Sequence, residues 1–336
     1  MLPSLTAPGN LAELAVQHDV GIVFCCPAAS QETIRNCEPF RALSENCEIE
    51  FVDNQDILDS DTAKHAAMTR SNYRAIVSGS PKPRRTVLVF LNPDVVVASD
   101  CFTRAHDLIV RGYKAIMVAG LRMHLDEVAH KLLPYYADGR LIIPPPELAR
   151  MAIECLHPCS EVFVWNRGLR PVNWHPLLLY ETPRGDLLQH CFHLHPLFLV
   201  TPDELPDTPD TIDGKFMEQC RLSADEFHIV TDDNIVVAEI SGGPYAFPDA
   251  LGPPSRARIA DFAVRWVSDI HWDFFKHRIS YLQEPATPQA SPELDRLVRY
   301  VLTHKPRRWF ARNAAWLDRR VLRHLFRALA ALRCKS

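Results

Sequence analysis

Glycine is scarce, at 12 residues in 336 against 27 prolines. Glycine lets a backbone approach a phosphate closely, so this chain has little room for glycine-rich nucleotide loops. Neither G-x-G-x-x-G nor G-x-x-x-x-G-K-[ST] occurs in it. Paired C-x-x-C spacings are also missing. The ten cysteines are scattered, with Cys25 and Cys26 adjacent and Cys155 and Cys159 four apart, which argues against a thiolate zinc site and for reduced thiols in a cytoplasmic protein. No run approaches the ~18 apolar residues that a membrane span needs. The first residues lack the basic-then-apolar pattern of a secretory signal. The expectation is a cytoplasmic protein, with a peripheral position on the inner face of a membrane the one membrane association compatible with it.

Charge is unevenly placed. The formal net charge is −4, yet residues 291–336 hold twelve Lys and Arg against three Asp and Glu, which leaves the rest of the chain near −13. An acidic body with a basic tail follows. With 47% hydrophobic residues the chain can bury a sizeable core.

The apolar segments set the fold class. Leu11–His18 and residues 61–77 have helical spacing, as does Cys101–Arg111 with Gly112 in a C-cap position. Val20–Cys26, Glu48–Val52, Thr86–Leu91, Val95–Ala98 and Lys114–Ala119 read as strands, mostly continuous apolar runs of the kind buried on both faces. Their alternation with helices predicts an α/β fold, a mostly parallel Rossmann-type sheet with helices on both faces. Beyond Pro144-Pro145-Pro146, the spacing predicts a helix over Glu147–Leu156. It predicts short strands at Val162–Trp165, Leu177–Glu181 and Leu197–Val200, and a strand pair, Phe227–Val230 with Ile235–Ala238, around Thr231–Asn234. One helix is expected over Ser255–His271 and a basic helical stretch over 291–333. These divide the chain into a catalytic domain, residues 1–245, and a helical region, residues 246–336.

Ligands of open parallel sheets sit beyond the carboxyl ends of strands. Asp94 lies there, in Asn92-Pro93-Asp94 directly after the strongest strand, where a carboxylate can hold a divalent cation that neutralises a nucleotide diphosphate. A plain turn or helix-capping role fits the same three residues. The stretch V-L-V-F-L-N-P-D-V-V-V-A-S-D resembles the N-P-D version of the metal-binding motif of GT-A glycosyltransferases. The resemblance covers roughly residues 19–122 and fades towards residue 240. It implies a GT-A-like domain that takes a nucleotide-sugar donor and binds Mn²⁺ or Mg²⁺ through Asp94. Asn92 stands where the family's first aspartate would be, which weakens the implied metal dependence. The resemblance also implies donor contacts from Cys25–Ala29, Asp53, Asp56 and Arg70.

Alternation along His190–Pro196 places His193 and His195 on one face, where imidazoles can ligate a metal or contact phosphate. His195 is the expected third metal ligand and His193 an additional one. Asp233, in the turn Asp232-Asp233, and Asp213 compete as the general base that takes a proton from an acceptor hydroxyl. The tail interleaves arginines with Trp309, Phe310, Trp316 and Phe326, a basic amphipathic pattern suited to an anionic membrane surface. The acidic body and the absence of a recognition motif argue against nucleic acid. The leading expectation is sugar transfer to a glycan or lipid-linked acceptor. A metal-dependent hydrolase built on His193, His195 and Asp233, or a non-catalytic nucleotide-sugar-binding protein, stands beside it.

Overall fold

The computed structural model describes residues 1–60, 64–206, 211–243, 249–283 and 291–305. The strands used below are β1 (Gly21–Cys25), β2 (Glu48–Val52), β3 (Val87–Val89), β4 (Val95–Val97), β5 (Ala115–Val118) and β6 (Leu121–His124). They continue with β7 (Leu177–Glu181), β8 (Leu187–Cys191), β9 (His195–Val200), β10 (Phe227–Ile229), β11 (Val237–Ser241) and β12 (Ile279–Tyr281). The helices are α1 (Leu11–Gln17), α2 (Lys64–Ser78), α3 (Cys101–Val110), α4 (Pro145–Glu154), α5 (Gly214–Gln219), α6 (Arg256–Trp266), α7 (Asp269–Phe275) and α8 (Pro292–Leu302). The chain is mixed α/β. Among the described residues no helix is long and apolar enough to cross a membrane.

Much of the first half follows the apolar pattern, with the helices Ala28–Asn36 and Glu38–Ser44 added between the first two strands. β1 and β2 form a parallel pair in register from Gly21↔Glu48 to Cys25↔Val52, and α2 packs on them. Gly112 ends α3 with φ of +106°, the left-handed conformation a C-cap glycine supplies.

Strand direction departs from the parallel expectation. In the four-stranded sheet, ordered β10-β5-β9-β3, β9 runs antiparallel to both neighbours and only β10 is parallel to β5. A continuous apolar run reports burial on two faces, and a covered mixed sheet demands that as much as a parallel one. Pro196 lacks the N–H a ladder needs, and the β9–β5 register shifts between Pro196 and Phe198.

Three local expectations change. The strands flanking Thr231–Asn234 do not pair with each other: β10 joins β5, while β11 lies between β4 and β6. Asp232 takes hydrogen bonds from the Asn234 backbone N–H and Nδ2, a local turn that sends the chain into a different sheet. The helix expected over Ser255–His271 is two, α6 and α7, because Ser268 starts a new N-cap whose backbone N–H donates to His271 Nδ1. Val162–Trp165 is a turn with one isolated bridge, Val164 to Leu179, while Leu187–Cys191 forms a strand in the centre of β7-β8-β12.

Two apolar cores result. The larger gathers β4, β5, β9 and α3 around Val97, Phe102, Met117 and Phe198. The smaller joins β7 and β8 to α6, α7 and α8 through Leu178, Phe192, Phe262, Trp272 and Leu297. The boundary expected at 245/246 is crossed by strand pairing, since β12 hydrogen-bonds to β8. The tail from residue 306 lies outside the described residues.

Candidate functional site

One edge of the four-stranded sheet collects most of the chemistry. β3 runs antiparallel to β9, its last residue pairing with Phe198 and its carboxyl end directed toward the start of β9, and the carboxyl end of β5 meets the first residue of β9 (Val118↔His195). β10 runs parallel to β5 with Ile229 opposite Met117. Asn92-Pro93-Asp94, His193–His195 and Asp232-Asp233 therefore all leave the sheet at the same edge.

Asp94 is exposed, and its carbonyl accepts the Ile240 N–H at 2.8 Å. The Asn92 carbonyl accepts from Val95 N at 3.1 Å, which closes the turn. The Met1 amino group is near enough to feel the Asp94 charge, although burial dominates and lowers that amine. His195 Nε2 lies 2.8 Å from the Phe90 carbonyl. A carbonyl only accepts, so Nε2 carries the proton and Nδ1 keeps a lone pair, the arrangement of a metal-ligating histidine fixed by a backbone partner. Burial lowers the His195 imidazole and favours this neutral form.

His193 does not share a partner with His195. Its Nδ1 lies 3.2 Å from Asp213 Oδ2, and the His271 ring stacks at a tilt 4.5 Å away. Asp213 N-caps α5, with its Oδ1 accepting from Lys215 N at 2.9 Å and Thr211 Oγ1 at 2.7 Å. Burial by itself would raise the Asp213 carboxyl, but hydrogen bonds from His193 and Thr211, together with the nearby His271 ring, outweigh it and hold the group well below the usual carboxylate range. A carboxylate so stabilised is a poor proton acceptor. It is well suited to orienting His193: an ionised Asp213 makes Nδ1 the protonated nitrogen and leaves Nε2 as a base.

The ligating atoms of His193, Asp213 and His271 lie within 4.8 Å of one another, close enough to share a cation. The hydrogen bonds argue for another use. His271 Nδ1 accepts the Ser268 N–H at 3.0 Å, so neutral His271 carries its proton on Nε2, which faces Asp213 Oδ2 at 3.8 Å. Both imidazoles then present N–H groups to one half-buried carboxylate. That is the pattern of a proton-transfer dyad with a supporting histidine.

Asp233 is half-buried, and burial raises its carboxyl. Asp53 is exposed, with Oδ1 on Gln55 N. Asp56 is held by Arg74 through two hydrogen bonds of 2.5 and 2.7 Å, and Arg74 also donates to the Asp53 carbonyl. Arg74 is the cation beside Asp53 and Asp56 at the β2 end, while Arg70 lies exposed one turn earlier on α2. His271 escaped the sequence reading because it was absorbed into a longer helix; the Ser268-to-His271 capping spacing is the signal that marks it. Comparisons with family models, curated proteins and solved structures return no match for this chain.

Proposed function

We propose that this chain is a GT-A-type glycosyltransferase that moves a sugar from a nucleotide-sugar donor to a glycan or lipid-linked acceptor. The observation that carries the reading is the shared sheet edge, from which Asn92-Pro93-Asp94, His195 and the His193–Asp213 pair all emerge. The donor's nucleoside would sit at the carboxyl ends of β1 and β2, beside Cys25, Asp53 and Arg74.

Asp94 and His195 are the residues that would hold a divalent cation. His195 fits that role because Phe90 fixes its Nε2 proton and leaves Nδ1 free to ligate. When bound, Mn²⁺ or Mg²⁺ neutralises the leaving diphosphate. His193, oriented by Asp213, takes the proton of the acceptor hydroxyl through Nε2. Asp233, whose carboxyl is raised, is the remaining base at this edge, and Asp213 serves as the positioning residue behind His193.

The test is thermal stabilisation of the protein by nucleotide sugars with and without Mn²⁺, followed by transfer assays on the donor that binds. Stabilisation is expected for the native chain and its metal-dependent part is expected to vanish in Asp94→Ala. His193→Gln should keep donor binding and lower kcat by 10²-fold or more, the usual scale of general-base loss. Equal stabilisation of Asp94→Ala, or no donor that binds, sinks the proposal.

The crowding of His193, Asp213 and His271 within 4.8 Å favours a second reading, a metal-dependent hydrolase. It requires a tightly held metal in the purified protein, so elemental analysis that finds none removes it.

A further inference from the structure

A cavity of about 460 Å³ opens between the end of β10, the end of α7 and the face of α8, lined by His190, Thr231, Lys276, Arg278, Asp295 and Arg299, among others. Three cations face one carboxylate there, on a body that is otherwise acidic. The pairing of the cations is incomplete. Lys276 is tied to Asp273, which also takes Lys305 at 3.2 Å. Arg278 reaches Asp295 only at 3.9 Å, beyond hydrogen-bonding distance. Arg299 lies exposed on α8.

His190 adds an unpaired hydrogen-bond acceptor to the same wall. It is buried in the wall of the same cavity, its Nδ1 donates to the Phe275 carbonyl at 2.9 Å, and its Nε2 has no hydrogen-bond partner. Buried polar groups are normally paired, and a neutral imidazole nitrogen of this kind accepts, so its partner is a hydroxyl: that of a monoprotonated phosphate or of the group carrying it. Two guanidinium forks with a lysine form the donor set that suits a phosphate, because the planar forks can each present two N–H groups to its oxygens.

We propose that this cavity binds the phosphate of a phosphorylated ligand. On the glycosyltransferase reading, on which this assignment to the acceptor rests, the ligand is an acceptor whose phosphate is pinned here while its hydroxyl reaches the proton-accepting pair. The fold supports that span. His271 and Lys276 are five residues apart at α7, about 8 Å along a helix axis, so the cavity and the His193–Asp213 pair flank one short helix. Thr231 in the cavity wall leads directly into Asp232-Asp233.

The experiment is calorimetric titration of the full chain with inorganic phosphate at constant ionic strength, with chloride as the control. The native protein should bind phosphate, and Arg278→Gln combined with Arg299→Gln should weaken it at least tenfold with the thermal midpoint unchanged. Lys276→Gln, at an exposed site, serves as the second variant and should weaken binding severalfold. Undiminished phosphate affinity in the double variant, or no binding by the folded native chain, overturns the proposal. Two further arms, glucose 6-phosphate and phosphatidylglycerol vesicles, separate a soluble phosphosugar from a lipid headgroup as the source. Uridine diphosphate binding, measured on the same variants, separates the two proposals. Phosphate binding without nucleotide binding rejects the transferase reading and keeps the cavity; the reverse rejects the cavity alone.

Discussion

Half-buried Asp213 and fully buried Arg170 show how differently two charges withdrawn from water can be treated. Asp213 is surrounded by donors from Thr211, Lys215 and His193. Arg170 is 1% exposed, donates Nη1 to the Phe163 carbonyl, and leaves Nε and Nη2 without hydrogen-bond partners. Its contact with the Trp165 ring, 5.4 Å to the centroid, is the nearest compensation, and burial pulls its guanidinium down to about 9. A buried charge without a counter-ion costs stability that an apolar group of similar shape does not. Arg170→Met should therefore raise folding stability by about 1–3 kcal/mol, read as a higher denaturant midpoint with an unchanged m-value; a drop in midpoint contradicts the assignment. The carboxylates were visible in the sequence as candidates, but their roles were not. Asp213 reads as a base until its donors are known, because basicity is set by the neighbours a fold supplies.

At the scale of elements, α5 and α7 meet where His193, Asp213 and His271 are brought together. Gly214, the first residue of α5, lies so close to α7 that a Cβ there would stand 2.8 Å from His271 Cδ2 and Nε2 and from Ile270 Cγ2. Gly214→Ala should thus cost about 1–3 kcal/mol. It should also shift the His193 and His271 imidazole resonances as the rings move off Asp213, measured by chemical denaturation and ¹H–¹⁵N NMR. A variant with native stability and unmoved resonances would contradict this packing. The strands and longer helices of residues 11–26 and 64–118 were legible because each apolar run is bounded by proline, glycine or a polar turn, whereas the helices Ala28–Asn36 and Glu38–Ser44 went unread. The middle was not. β8 carries the polar Gln189 and His190 in a fully buried strand, so its hydropathy hides its burial, and the break between α6 and α7 rests on one serine cap.

Across the whole molecule, buried neutral histidines set an acid limit. Burial pushes both His175 and His190 down to about 4 from an ordinary 6.5. Between those pH values the unfolded chain binds protons that the folded chain refuses, so stability falls as pH falls through that window. At about 1.4 kcal/mol per pKa unit, the loss reaches roughly 3 kcal/mol for His190 alone by pH 4. Asp213, held low by its partners, adds a loss of the same sign at still lower pH. Urea midpoints measured from pH 7 to pH 4 should fall steadily, and His190→Gln should flatten the slope; a flat native profile would contradict the burial of these rings.

By itself the sequence determined the α/β class, the β1–β2 and α3 segments, the position of Asp94 at a strand end and the uneven charge, because periodicity and turn residues act locally. Tertiary structure alone decided strand direction, the crossing of the 245/246 boundary by β12, the pairing of Arg74 with Asp56, and the joining of His193 to Asp213 and His271. Each of those depends on which distant segment arrives next to which, and spacing along a chain carries no record of that.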